Sequence, residues 1–346
     1  MQSDQVSTSR ESVKAQIIRS LKDADVPSSG LKNPFYKQSD TAELIDHFIE
    51  VSYPWLGSTE SQRIMQYDGL QLLMRAPYLL HGILSFSASH LSYLHHYNKK
   101  YCAAAVLHYQ LSLISYQERL QKDVNSKNVD LLFGGCLLQS MMAFGYLFHE
   151  ARDGPLDSDD KGIGLTWLRA MQGTKVLYER EELRPYLTKS IWLPVFLESN
   201  CWEEASCNHQ EDEEESWAAH TSKALHRLFE LDNSSIVDEN PYRQPLALLC
   251  HLMRCESSHD NIGMFMMFSG KLPPEFIGLL ENSDQKAMLI MSYWSALFGK
   301  IDQWWIVRSA KVECMRICGF LDKASDARIR ELLAFPAAQC GYTLIT

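Results

Sequence analysis

The clearest hydrophobic pattern in the chain runs from Pro77 to Tyr116. Leu79, Leu80, Ile83, Leu84, Ala88, Leu91 and Leu94 recur at three- and four-residue spacing, which makes one apolar face of a helix. Pro77 suits the first helical position, where its missing N–H is no loss. After Asn98 a second face follows through Tyr101, Ala104, Ala105, His108, Leu111 and Tyr116. It predicts a helix running to Val124.

The same pattern places elements on either side. Residues 1–38 read as weakly ordered, with one short amphipathic helix on Val13, Ile17, Ile18 and Leu21 that Pro27 to Gly30 breaks. Asp40 with Glu43 three residues on reads as a capping box. The helix it opens continues through Leu44, Ile45, Phe48 and Val51 and stops at Pro54 and Gly57. A helix over 61–75 closes at Ala76-Pro77. Asn128 is placed to cap an uncharged helix over Leu131–Phe148, and 151–162, rich in Asp and Gly, reads as a surface loop.

Farther on, a helix over 163–183 carries Leu165, Leu168, Met171, Val176 and Leu177 on one side. Residues 191–198 are short and apolar, and the acidic run Glu211 to Glu215 reads as a solvated loop. Trp217–Leu231 is helical in pattern, Asn240-Pro241 restarts the chain, and Tyr242 to Phe268 is rich in Leu and Met. Ser283-Asp284 opens a helix whose Leu289, Ile290, Tyr293, Trp294 and Leu297 face inwards. Trp304 and Trp305 begin a further segment through Val312, Met315, Ile317 and Leu321, and a last turn, 329–335, stops at Pro336. No alternating strand run appears. The chain reads as all-α, an irregular multi-helix bundle of about ten to twelve helices. Residues 39–346 read as one large domain, with no repeat of fixed period that would make a solenoid.

Composition narrows the function more than the fold. Hydrophobic residues at 46% and aromatics at 11% supply a large core. A net charge of −10 without a basic run argues against a nucleic-acid-binding face. The nine cysteines are odd in number and sit in apolar helical contexts, as reduced core thiols do. The N-terminus is polar and offers no signal peptide. Gln139, Ser140, Gly134, Gly135, Gly145 and Tyr146 dilute the uncharged segment, and Asp130 and His149 close it. It therefore reads as a buried core helix and not as a membrane span. A soluble intracellular protein is expected.

Catalytic signatures do not stand out. There is no Walker loop, dinucleotide fingerprint, nucleophile elbow or zincin helix, and Gly162-Ile163-Gly164 lacks the third glycine of a nucleotide loop. Cys314 and Cys318 share a helical face and would supply two thiolates. Structural zinc needs four ligands, so the pair reads as core cysteine. Cys201, Cys207 and His209 form a second loose cluster, and Cys250, His251, Cys255 and His259 a third. His81, His90, His95, His96 and His108 titrate near neutrality when unperturbed, yet no Ser or Asp partner is paired with them by spacing. No catalytic residue, metal site or cofactor is assigned. The Met-rich pieces Met141 to Gly145 and Met264 to Phe268 carry adaptable side chains, and Gly134, Gly135 and Gly145 leave space along one helix. Gly134, Met141, Phe144, Gly145, Met264, Phe265, Phe268 and Trp294 are the candidate lining of an apolar ligand pocket. On these residues alone, core filling without any ligand is the favoured reading.

The order of these features resembles the C-terminal regulatory domain of fungal zinc-cluster transcription factors, specifically the sterol-uptake-regulator-like group. The resemblance starts at Glu43-Leu44-Ile45-Asp46-His47-Phe48 and is strongest from Pro77 to Leu91. It continues through Tyr101, Ala105, His108 and Leu113, and ends with Ser292 to Leu297 and Trp304-Trp305. It implies an all-helical module that senses a sterol or similar apolar ligand, works with protein partners of the transcription machinery, forms a homodimer in some members, and acts in the nucleus or cytoplasm. The family's DNA-binding head needs six cysteines beginning Cys-x2-Cys. Here no cysteine precedes Cys102 and no Cys-x2-Cys occurs, so direct DNA binding is not expected. The alternative is a helical domain repurposed as an enzyme or accessory binding protein in fungal secondary-metabolite biosynthesis.

Overall fold

The structure, a computed structural model, describes Ala15 and residues 41–65, 69–73, 75–150, 166–200, 216–230 and 240–345. The sequence-predicted helix near Val13, the Asp40 cap, and the loops at 151–162 and 211–215 lie outside these residues. Every regular element among the described residues is helical, and the protein is all-α. The helices are α1 (Thr41–His47), α2 (Thr59–Ile64), α3 (Leu70–Leu73), α4 (Pro77–Leu94), α5 (Lys99–Leu120), α6 (Val129–Glu150), α7 (Thr166–Glu179), α8 (Arg184–Leu187) and α9 (Leu193–Asn200). They continue with α10 (Trp217–Leu228), α11 (Arg243–Arg254), α12 (Ile262–Lys271), α13 (Pro274–Glu281), α14 (Gln285–Phe298), α15 (Trp304–Leu321), α16 (Ala327–Leu332) and α17 (Ala334–Cys340). Among the described residues no helix is long and apolar enough to cross a membrane. Contacts cluster into two compact units. The first comprises Met1–Met142 with Val176–Pro194, the second Ala143–Lys175 with Val195–Thr346.

The first unit is built on α4, which is buried on nearly every side. Pro77 is in its first turn, as the sequence predicts. A helix without a solvent face needs partners for its polar side chains; two of the α4 serines find them in neighbouring backbone, whereas His81 Nε2 is buried without a hydrogen bond. Ser85 Oγ donates to the Ala105 carbonyl at 2.7 Å and Ser87 Oγ to that of Leu44 at 2.6 Å. Ser112 Oγ of α5 donates to the Tyr78 carbonyl at 2.6 Å. Between α4 and α5 the chain turns through His96 and Tyr97, both left-handed at φ 50° and 63°, a conformation that side chains other than glycine adopt at a cost. Asn98 then caps α5 by accepting from Lys100 N at 3.0 Å.

Contacts across the unit add to the local pattern, and some local expectations change. Glu43 reaches across to α5, accepting from Tyr101 Oη at 2.6 Å and from Lys100 Nζ at 2.7 Å. Past α1 the chain takes a π-helical turn over Phe48–Ser52. The extra residue in that turn leaves Val51 39% exposed while Phe48 and Ile49 stay inside. Helix α5 stops at Leu120, where Arg119 bonds the Lys122 and Asp123 carbonyls. Asn128 turns its side chain back to Asn125 N and the Asp123 carbonyl, away from α6. Val176 faces out at 60% exposure.

In the second unit α14 is buried from Ala287 to Phe298. Asp284 caps it by accepting from Ala287 N at 2.8 Å, as the sequence predicts. Trp294 stacks on Trp167 at 5.2 Å, and its Nε1 donates to the Phe265 carbonyl at 2.9 Å. The chain does not stop at Pro336: that residue sits in the first turn of α17, where a missing N–H leaves no broken bond.

Two buried titrating sites have opposite signs. His81 Nδ1 and His108 Nδ1 are 3.0 Å apart in stacked rings, so one is protonated on Nδ1 and the other accepts. Burial lowers both from 6.5, to about 4 and about 3. Neutral imidazoles therefore favour the fold fully above pH 6.5, and that stability is lost as pH falls through the folded values. Glu313 is buried without a hydrogen bond to either carboxyl oxygen, and Arg316 Nη1 lies 3.9 Å away. Burial lifts Glu313 from 4.5 to about 7, partly opposed by Arg316. Its contribution is full below pH 4.5 and lost as pH rises through about 7.

Replacing both rings in a His81→Phe/His108→Phe variant should flatten the fall in unfolding free energy between pH 6.5 and 5, by roughly 2 kcal/mol per pH unit for the pair. Denaturant melts across that range measure it, and an unchanged slope would refute the assignment. Glu313→Gln should gain roughly 1–3 kcal/mol over the parent chain above pH 7, with the gain shrinking towards pH 4.5. A pH-independent difference would contradict the burial argument.

Candidate functional site

The candidate ligand site is an apolar cavity in the first unit. Helix α4 contributes Leu79 and Ile83, one turn apart. Helix α6 contributes Gly134, Leu137, Leu138 and Met141, a stripe at three- and four-residue spacing. Leu56, Ser61, Met65, Gly69, Leu72 and Leu73 close another side, and Trp192 completes the lining. Of the helix predicted over 61–75, residues 66–68 and 74 lie outside those described, and Ser61 of α2 with Leu72 and Leu73 of α3 line this space.

Trp192 is held by a clamp at the start of α6. Asp130 Oδ1 accepts from Ser190 Oγ at 2.7 Å and from Ile191 N at 3.2 Å. The indole Nε1 donates to the Asp130 carbonyl at 2.8 Å, and Trp192 N donates to Ser190 Oγ at 3.2 Å. The indole polar group is thereby satisfied outside the cavity, and its carbon face is what the cavity meets.

The glycines of α6 work by close approach. A Cβ at Gly134 would lie 3.0 Å from Trp192 Cζ2, and one at Gly135 would lie 2.6 Å from Tyr116 Cε2 and 2.8 Å from Tyr78 Cε2. Rings already fill the space that these glycines leave. Gly82 of α4 similarly admits Leu138 of α6. What remains open is a cavity of about 40 Å³, room for about three waters. Its walls are nearly all hydrocarbon, and cavities of that kind stay dry and accept small apolar groups. In this closed form it cannot hold a rigid ligand of sterol size, which needs hundreds of Å³.

Of the eight residues singled out from sequence, Gly134 and Met141 line this cavity. The other six belong to the second unit. Phe144 meets Trp167 and Trp294 edge-on at 5.1 and 5.9 Å. Phe268 stacks on Trp294 at 5.9 Å, and Phe265 stacks on Phe298 at 6.0 Å. Met264 is buried on the same helix as Phe265, and the nearest neighbour of a Cβ at Gly145 is Trp305 Cβ at 3.7 Å. These six are core filling around Trp294. The other eleven lining residues, Leu79, Ile83, Leu137, Leu138 and Trp192 among them, are not in the set singled out from sequence. The stripe from Gly134 to Met141 was the available signal for α6, whereas nothing local marks Trp192 as facing it.

The lining contains one hydroxyl, Ser61, and no histidine or carboxylate among the described residues. His81, His90 and His108 are buried elsewhere in the unit, and burial holds His90 at about 4, with His47 adding repulsion. The geometry therefore equips the cavity to bind apolar surface and gives it no proton-transfer group.

Gly135→Ala should destabilise the protein by roughly 1–3 kcal/mol through overpacking against Tyr116 and Tyr78. Gly145→Ala should be neutral or stabilising by up to about 1 kcal/mol, since alanine favours helix. Thermal melts of the two variants measure this, and equal effects would show that ring crowding is not what the α6 glycines relieve.

No protein-family model matches the chain, and none of the curated proteins matches it.

Proposed function

We propose that the chain is a ligand-responsive regulatory module of the fungal zinc-cluster transcription-factor type, and that its first unit binds an apolar small molecule of the sterol or lipid class. The observation that carries this reading is the hydrocarbon-walled cavity between α4, α6 and Trp192. The order of residues from Pro77 to Leu91 supports the same assignment. Such a module acts in the nucleus or cytoplasm through protein partners, as a monomer or a homodimer.

The small size of the cavity bears on how sensing works. A ligand of sterol size enters only if Met65, Met141 and the α2–α3 side give way, and methionine side chains adapt at low cost. Free and bound forms then differ in structure, and a ligand shifts a population only through such a difference in affinity. The alternative role in small-molecule biosynthesis fits this cavity as an accessory binding protein. As an enzyme it lacks an acid or base in the lining.

The test is whether purified protein retains or takes up an apolar ligand. Native mass spectrometry of the chain, stripped and then incubated with ergosterol or a long-chain fatty acid, should give a one-to-one complex and a higher melting temperature. Met141→Trp and Met65→Phe, each filling the cavity, should abolish the complex while retaining helical circular dichroism. A melting temperature indifferent to both ligands, or binding that survives both substitutions, would sink the ligand reading.

A further inference from the structure

The second unit holds a cluster that the sequence shows only in part. Cys314 and Cys318 are one turn apart on α15, and Cys340 is the last residue of α17. All three are buried, at 0%, 0% and 2% exposure. Their sulfurs lie within 4.8 Å of one another, with Cys318 Sγ and Cys340 Sγ 4.0 Å apart. Apolar cores usually scatter their cysteines; here three thiols converge on one point.

We propose that Cys314, Cys318 and Cys340 form a three-sulfur binding site for monovalent copper. The geometry is close to what such an ion requires. Three sulfurs around a metal at a thiolate bond length of about 2.3 Å sit about 4.0 Å apart in a trigonal plane, the present Cys318–Cys340 separation. Small side-chain rotations bring Cys314 to the same distance.

Ligand chemistry selects the ion. The three sulfurs form the whole set of candidate ligand groups found together there among the described residues. Structural zinc is four-coordinate, and catalytic zinc adds a water to three protein ligands. A site buried on all three sulfurs offers neither a fourth side chain nor solvent. A soft, purely thiolate set without a fourth ligand favours monovalent copper.

Backbone holds the thiols in place: Cys314 Sγ donates to the Ser292 and Pro336 carbonyls, each at 3.5 Å, and Cys340 Sγ to that of Ala337 at 3.5 Å. On binding, each sulfur still protonated gives its proton to solvent as its bond to copper forms. Copper stays in the +1 state, so the step needs no oxidant or reductant.

Gly341 ends α17 with a left-handed turn at φ 76°. Tyr342 then lies over Gly319, where a Cβ would be 3.6 Å from its ring. The following residues are tied to one carboxylate: Tyr342 Oη donates to Asp322 Oδ2 at 3.3 Å and Ile345 N at 2.8 Å.

The experiment titrates the reduced full chain anaerobically with monovalent copper in competition with bathocuproine disulfonate. The expected result is one tightly held copper per chain, an ultraviolet thiolate-to-copper band and a higher melting temperature. X-ray absorption at the copper edge should find three sulfur neighbours. Cys340→Ser and Cys318→Ser should each weaken binding at least tenfold, while Cys136→Ser and Cys250→Ser leave it unchanged. Circular dichroism identifies a variant that does not fold, and the absorption spectrum of the parent chain decides the coordination independently of every variant. Copper fully removed by the chelator, a copper shell containing nitrogen or oxygen, or binding that survives both Cys340→Ser and Cys318→Ser would overturn the proposal.

Discussion

Helix α4 has almost no face left for water, so the polar groups on it that are satisfied find their partners within the protein. That constraint shapes the first unit. Leaving a buried donor or acceptor unpaired costs about 1–3 kcal/mol. The hydroxyls of Ser85 and Ser87 avoid that cost by donating to carbonyls on α5 and α1, which also fixes where those helices lie. Bulk is limited by the same constraint, and Gly82 and Ala88 let neighbouring chains approach closely. The stretch that carries the family resemblance is thus a solution to burying a helix on every side. Its residues pack, and two of them also wall a cavity.

Helix α14 meets the same problem in the second unit with aromatic rings. Trp294 spends its single N–H on the Phe265 carbonyl and presents the rest of its surface to Trp167, Phe144, Phe268 and Phe298. Stacked and edge-on pairs at these separations add to area burial by about 0.5–1.5 kcal/mol each. Residues that looked adaptable from composition are here fixed by one another. A space open to a ligand lies in the first unit, where Leu, Ile and Met side chains leave a gap that rings do not fill.

Desolvation explains why the buried ionisable groups act against one another. The same loss of water lowers His81 and His108 and raises Glu313, because it opposes whichever form carries charge. The three-thiol cluster meets the same loss of water by turning two of its thiols to backbone carbonyls. An apolar cavity without ionisable groups and a buried cluster made wholly of them give the two units different chemistry.

Periodicity made the long helices legible. The starts of α4, α5 and α14 follow from Pro77, Asn98 and Asp284, because a cap is a contact between residues two or three apart. Contacts over longer spans were not legible. Glu43 bonds Tyr101, a residue of α5, and Pro336 reads as a stop and instead sits in the first turn of the helix that carries Cys340. The π turn after α1 moved Val51 outward by adding one residue that no pattern marks. Gly134 and Met141 were found because they lie on one helical stripe, while Trp192 reaches that stripe only through the Asp130 clamp. The sequence alone determined that the protein is all-helical and which faces are apolar, since both depend on neighbours within a few residues. Only the tertiary structure decided which gap stays open and which three cysteines meet, because each depends on residues far apart in the chain arriving at the same place.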